Sequence, residues 1–164
     1  MKKIISLILA MLMLLTFAGC GGNGDDTSSP KEAGYTFTAN GVKIAMSDEA
    51  SAIISALGDP ISYTEETSCA FEGLDKTYYY GGFYLTTYPE NDKDYVFSVW
   101  FQDDSVETEE GLYIGSSKAD VERIYGAEGV SGDNSYVYTK GSSKLTVILT
   151  NDVVSSIQYE AVVE

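Results

Sequence analysis

The chain has 164 residues, with 10 Lys and Arg against 25 Asp and Glu, no histidine and a formal charge of −15. This balance argues against nucleic-acid binding, which relies on Lys and Arg to neutralise phosphates, and against electrostatic attachment to anionic lipid headgroups. The lack of histidine removes Ser-His-Asp and Cys-His nucleophilic catalysis, the commonest general base near neutral pH, and histidine-containing zinc sites.

Met1, Lys2 and Lys3 lead into the apolar run Ile4–Leu15, broken only by Ser6. A bilayer core of about 30 Å needs roughly 20 apolar residues in a helix, so the run has the length of a signal peptide rather than of a permanent span. Leu15, Phe17, Ala18, Gly19 and Cys20 then resemble the lipobox of bacterial lipoproteins. The resemblance implies that residues 1–19 are a signal peptide, that cleavage falls before Cys20, and that the Cys20 sulfur carries a diacylglyceryl group. The protein would then be extracytoplasmic and held to the cell membrane by its lipid, since two acyl chains suffice for stable anchoring where one does not. Loss of the leader takes Lys2 and Lys3 with it and leaves the remainder more acidic still. It also leaves Cys69 without a partner in the chain. Its setting, Ser68-Cys69-Ala70-Phe71, reads as a strand with the thiol buried as a small hydrophobe.

Residues 20–34 continue as GGNGDDTSSPKEAG after the cysteine, with almost nothing apolar to bury, and read as a flexible tether. Residues 35–164 read as a single domain. Within it, Tyr35–Ala39 and Val42–Met46 alternate around Asn40-Gly41, the signal for a two-residue hairpin turn. Ser47 or Asp48 can cap a helix that aligns Ala50, Ile53, Ile54 and Leu57 on one face, and Gly58 with Pro60 stops it. Thr77–Tyr80, Phe83–Tyr88 and Tyr95–Phe101 follow as a meander, turning at Gly81-Gly82 and Pro89–Asp94. In the second half Leu112–Ile114 reads as a brief strand. Ser116 or Ser117 then caps a helix with Val121, Ile124 and Tyr125 on its apolar face, and Gly126 ends it. Tyr136–Thr139, Lys144–Thr150 and Val153–Val162 form a second meander. A weak internal repeat sets Ile53 on Val121, Ala56 on Ile124, Leu57 on Tyr125 and Gly58 on Gly126. The expected architecture is α+β: two tandem repeats, about 35–101 and 102–164, each a short helix packed on an antiparallel β-meander, because helices this short need packing to persist.

The helix ending in Gly and followed by a meander, with Gly111 to Val121 leading into the second helix, is similar to two groups. These are the tandem-repeat beta-lactamase inhibitor proteins and the small outer-membrane-assembly lipoproteins of the SmpA/OmlA type. The inhibitors carry a disulfide in each repeat that this chain lacks, so no residue is assigned an inhibitory role. The stretch SCAFEGLDKTYYYGGF, residues 68 to 83, resembles lipoproteins of clostridia-like bacteria and adds no mechanism.

No phosphate loop or dinucleotide turn occurs, and neither a cofactor, a metal nor an enzymatic activity is expected. Asn91-Asp92-Lys93-Asp94 and the run Gln102 to Glu110 are rich in oxygen ligands, but neither has EF-hand spacing, and both read as solvated turns. Tyrosine is in excess, with 13 in the chain and a concentration at positions 78, 79, 80, 84, 88 and 95. Tyr84 and Tyr88 alternate with Phe83 and Leu85, which places them on the outward face if the latter pack inward. Tyr80, Tyr84 and Tyr88 are therefore the candidate binding residues, since tyrosine offers contact area at low entropic cost. The expected function is a membrane-anchored, non-catalytic module binding a protein or small-ligand partner. The alternatives are a structural or assembly subunit of an envelope complex and an inhibitor-like module.

Overall fold

A computed structural model of the chain describes residues 33–163. The leader 1–19, Cys20 and the tether as far as residue 32 lie outside the described residues. The chain runs β1 (Thr36–Ala39), β2 (Val42–Ala45), α1 (Ala50–Leu57), β3 (Ser62–Thr67), β4 (Leu74–Tyr79), β5 (Phe83–Glu90) and β6 (Lys93–Phe101). After a crossover come α2 (Lys118–Tyr125), a 3-10 turn (Ala127–Gly129), β7 (Ser135–Lys140), β8 (Ser143–Thr150) and β9 (Val153–Ala161).

Three connections are two-residue turns with both residues at positive φ: Asn40-Gly41, Asn91-Asp92 and Asn151-Asp152, all between 51° and 78°. That backbone matches the twist of the flanking strands, and Asn, Asp and Gly tolerate it best. β1 and β2 pair with each other as a separate hairpin. The other seven strands form one antiparallel sheet in the order β3-β4-β5-β6-β9-β8-β7.

The centre of that sheet is a short seam. β6 and β9 meet through Ser98↔Glu160, Val99↔Tyr159 and Trp100↔Gln158. Elsewhere on those edges the partner is the segment leading into a helix. The Ser47 N–H donates to the Val96 carbonyl at 2.8 Å and the Val96 N–H to the Asp48 carbonyl at 2.9 Å. On β9, Gly115 donates to Val154 at 2.9 Å and Val154 to Ser116 at 2.8 Å. These bonds satisfy backbone groups that would otherwise be stranded and fix where each helix begins.

One face of the sheet is the core. Phe37 of β1 is its centre, with ring centroids 5.0 Å from both Phe83 and Phe101 and 6.5 Å from Tyr159. Ile44, Ala50 and Ile53 close it from β2 and α1, and Val121 and Leu112 from α2 and the crossover. Leu112 is held by its N–H donating to the buried Thr108 hydroxyl at 3.0 Å. The same hydroxyl lies within hydrogen-bond distance of the Tyr125 hydroxyl, at 2.8 Å, tying the crossover to α2.

This architecture corrects the α+β expectation of two helix-on-meander repeats. The described residues are mostly strand, in one seven-stranded sheet with a separate hairpin, and their two α-helices have 8 residues each. Two separate meanders would leave β6 and β9 as bare edges; pairing them along the seam removes both. The halves also differ in content. β3, absent from the sequence reading, extends one side of the sheet, and Leu112–Ile114 is not a strand, so the β1–β2 hairpin has no counterpart. Ser68–Phe71 is likewise a loop rather than a strand, and Cys69 is exposed. At the helix starts, Ser117 caps α2 in a reciprocal box with Asp120, whereas Glu49 rather than Ser47 or Asp48 occupies the cap position of α1 and makes no side-chain capping bond. Gly58 and Gly126 end the helices at φ 81° and 92°.

Candidate functional site

The face of the sheet turned away from the core carries a groove of about 830 Å³. Strand alternation builds it. On β5, Phe83 and Leu85 enter the core, so Tyr84, Thr86 and Tyr88 take the opposite face. Register then sets Trp100 and Ser98 of β6 beside Tyr84 and Thr86, and Tyr79 and Thr77 of β4 on their other side. The Tyr84 ring lies 4.7 Å from that of Tyr79 and 6.1 Å from that of Trp100, giving a row of aromatic rings across three strands. Trp100 is steadied by its indole N–H donating to the Ser156 hydroxyl at 3.1 Å.

Next along the strands comes a polar waist, where the Thr86 and Ser98 hydroxyls share a hydrogen bond of 2.8 Å. Beyond it the register shifts after Thr86, leaving Phe97 as the extra residue of a β-bulge. Bulges re-aim side chains. Here the result is a second aromatic cluster, with Phe97 6.2 Å edge-on to Tyr88 and Tyr95 5.8 Å from it. The β3–β4 loop folds over this cluster and stacks Phe71 on Tyr88 at 4.9 Å. Two contacts hold the loop there. The Ser68 hydroxyl accepts from the Phe71 N–H at 3.2 Å. Gly73, at φ 131°, lies so close to Pro89 that a Cβ would come within 2.9 Å of that ring.

The structure separates the three tyrosines singled out from the sequence. Tyr84 and Tyr88 both line the groove. Tyr88, however, is only 6% exposed, because Phe71 covers it; it is a wall of the groove rather than an outward ring. Burial pushes its phenol pKa up. Tyr80 lies elsewhere, stacked 5.4 Å from Phe83 with its hydroxyl buried and unpartnered, and its phenol too is raised by burial. The sequence reading missed Phe71, Phe97 and Trp100. Trp100 was legible from its register within an alternating strand, whereas Phe97 depends on a bulge and Phe71 on the course of a loop.

Among the described residues, the only charged side chains lining the groove are carboxylates, Glu66 and Asp75. Lys76, next along β4, turns to the other face by alternation and is held by Asp94 at 2.6 Å. The acidic turns serve the fold: Asn91-Asp92 is a left-handed turn, Glu109 accepts from Thr38 at 2.5 Å and Glu110 from Tyr125 at 2.5 Å. Among the described residues no group of three His, Cys, Asp or Glu side chains is placed to hold a metal.

No family model and no curated protein sequence matches the chain. A similar solved structure is that of an extracellular protein containing a SCP domain from Bacillus anthracis str. Ames, at 10% identity and a TM-score of 0.43. The match covers 89% of this chain and 50% of that one, so this chain spans half the length of that protein. At that level of similarity nothing about activity passes from one to the other.

Proposed function

We propose that the protein is an extracytoplasmic lipoprotein, anchored through Cys20, that binds a ligand in the groove without chemically altering it. The observation that carries this reading is the groove itself: about 830 Å³, walled by Tyr84 and Trp100 at one end and Phe71, Tyr88 and Phe97 at the other. Binding sites are concave, largely apolar and furnished with a few placed polar groups, here the Thr86 and Ser98 hydroxyls and the Gln102 and Gln158 amides. The chain lacks the histidine that most acid–base and nucleophilic mechanisms need, which favours binding over turnover. The lipobox-like Leu15 to Cys20 supports the anchor and the extracytoplasmic location.

Chain from the native membrane tests both halves. Mass spectrometry is expected to find Cys20 as the first residue with a diacylglyceryl thioether; a retained Met1 or an unmodified thiol at Cys20 overturns the anchor. A photo-crosslinker placed at Gln158, beside Trp100, is expected to trap a discrete species that Tyr84→Ala loses. Capture that is unchanged in Tyr84→Ala removes the groove from consideration.

A further inference from the structure

Glu66 on β3 and Asp75 on β4 are direct cross-strand partners. Both line the groove. Like charges set directly opposite each other weaken a strand pair. Here the ion pairs among the described residues, Lys76–Asp94, Lys93–Glu49, Arg123–Asp120 and Lys144–Glu160, engage neither carboxylate. Glu66 is exposed and Asp75 half-buried, so water screens the pair but no basic side chain among the described residues offsets it. A local rule left broken in this way is expected where function demands it.

The rest of the groove agrees with these two charges in sign. Aromatic rings present a negative π face that attracts cations, and among the described residues no lysine or arginine lines the groove. The carboxylates also sit at a defined end. Lys76 pairs with Thr87, so Asp75 is level with Tyr88, at the Phe71, Tyr88 and Phe97 end, with the Tyr84–Trp100 wall beyond the polar waist. We infer that the groove takes a small organic cation with an apolar body, its ammonium or quaternary ammonium group beside Glu66 and Asp75 and its body along Thr86 towards Tyr84 and Trp100. The volume suits a small molecule rather than a protein surface. An anionic ligand meets two carboxylates and no counter-charge. This inference rests on reading the groove as the binding site, and the experiment separates the two.

Trp100 is the chain's single tryptophan, so its emission reports the groove directly. Three probes with one ring and different charge are titrated into the purified full-length chain: benzyltrimethylammonium, benzyl alcohol and benzenesulfonate. The cation is expected to bind about tenfold more tightly than benzyl alcohol, with benzenesulfonate giving no response. In Glu66→Gln/Asp75→Asn that preference is expected to disappear while the affinity for benzyl alcohol stays the same, and added salt is expected to weaken the cation alone. Benzyl alcohol binding as tightly as the cation in the parent chain, and lost in Tyr84→Ala, overturns the cation assignment but leaves a binding groove. No response of Trp100 to any of the three probes overturns both.

Discussion

Phe71 and Tyr88 stack with ring centroids 4.9 Å apart and 33° between their planes, and this contact joins the β3–β4 loop to the outer face of β5. The two rings play unequal parts. Tyr88 is 6% exposed, so Tyr88→Ala is expected to cost about 3 kcal/mol, the usual price of emptying a buried aromatic site. Phe71 is half-buried on a loop, and Phe71→Ala is expected to cost only roughly 1 kcal/mol. Urea midpoints at constant slope measure both. Equal losses would place the loop inside the cooperative core rather than on top of it.

Cys69 sits in that same loop and is exposed. A maleimide is therefore expected to label it in the native protein without denaturant, with no change in far-UV circular dichroism. Labelling that waits for denaturant would mean the loop is packed down further than its exposure indicates. Because Cys69 also lines the groove, occupancy by benzyltrimethylammonium is expected to slow the reaction.

The contrast between Cys69 and Tyr84 shows what the sequence made legible. Tyr84 alternates with Phe83 and Leu85, and period-two alternation fixes a side chain's face without knowledge of its neighbours. The same logic gave β1, β2, β5, β6, β8 and β9, and the Asn-Gly turn and the helix-ending glycines, which are local backbone requirements. Cys69 and Phe71 lie in an apolar stretch with no period, and there composition suggested a strand where Ser68 and Gly73 make a loop. β3 was invisible for the opposite reason: Ser62–Thr67 is exposed along its whole length and carries no apolar pattern. The single sheet escaped notice because the β6–β9 seam depends on contacts far apart in sequence. The groove inherits both gaps, since Phe97 enters it through a bulge and Glu66 through β3.

Tyr136 and Tyr138 give the fold an alkaline limit. The Tyr136 hydroxyl donates to Glu122 at 2.6 Å, a bond that only the protonated phenol can make, and its pKa is pushed up to about 12. Tyr138, raised to about 12 chiefly by burial, donates to the Gly126 carbonyl at 2.5 Å. In the unfolded chain both titrate near 10. A folded pKa above the unfolded one stabilises fully below pH 10, and that contribution is lost as pH rises from about 10 towards 12. Melting temperature is expected to fall over that window, and Tyr136→Phe is expected to lower it at neutral pH, where the Glu122 bond is intact in the parent, and to flatten the alkaline fall. An identical slope in Tyr136→Phe would show that the Glu122 bond plays no part.

The Glu66–Asp75 pair predicts a gain in stability from losing a charge. Because the two carboxylates face each other with no base between them, Glu66→Gln removes a repulsion and introduces no cavity, so its melting temperature is expected to rise at low ionic strength. Salt screens the same repulsion, so the parent and the variant are expected to converge as ionic strength increases past the point where the Debye length falls below about 10 Å. Asp75→Asn is expected to behave alike, and the double variant to gain little more than either single one, since one neutralised partner already ends the conflict. Gains that simply add, or that survive high salt, would mean the two side chains act separately and would remove the motive for a shared cation. Stability held below its reach at a site lining a groove is the pattern expected where binding, rather than folding, sets the residue.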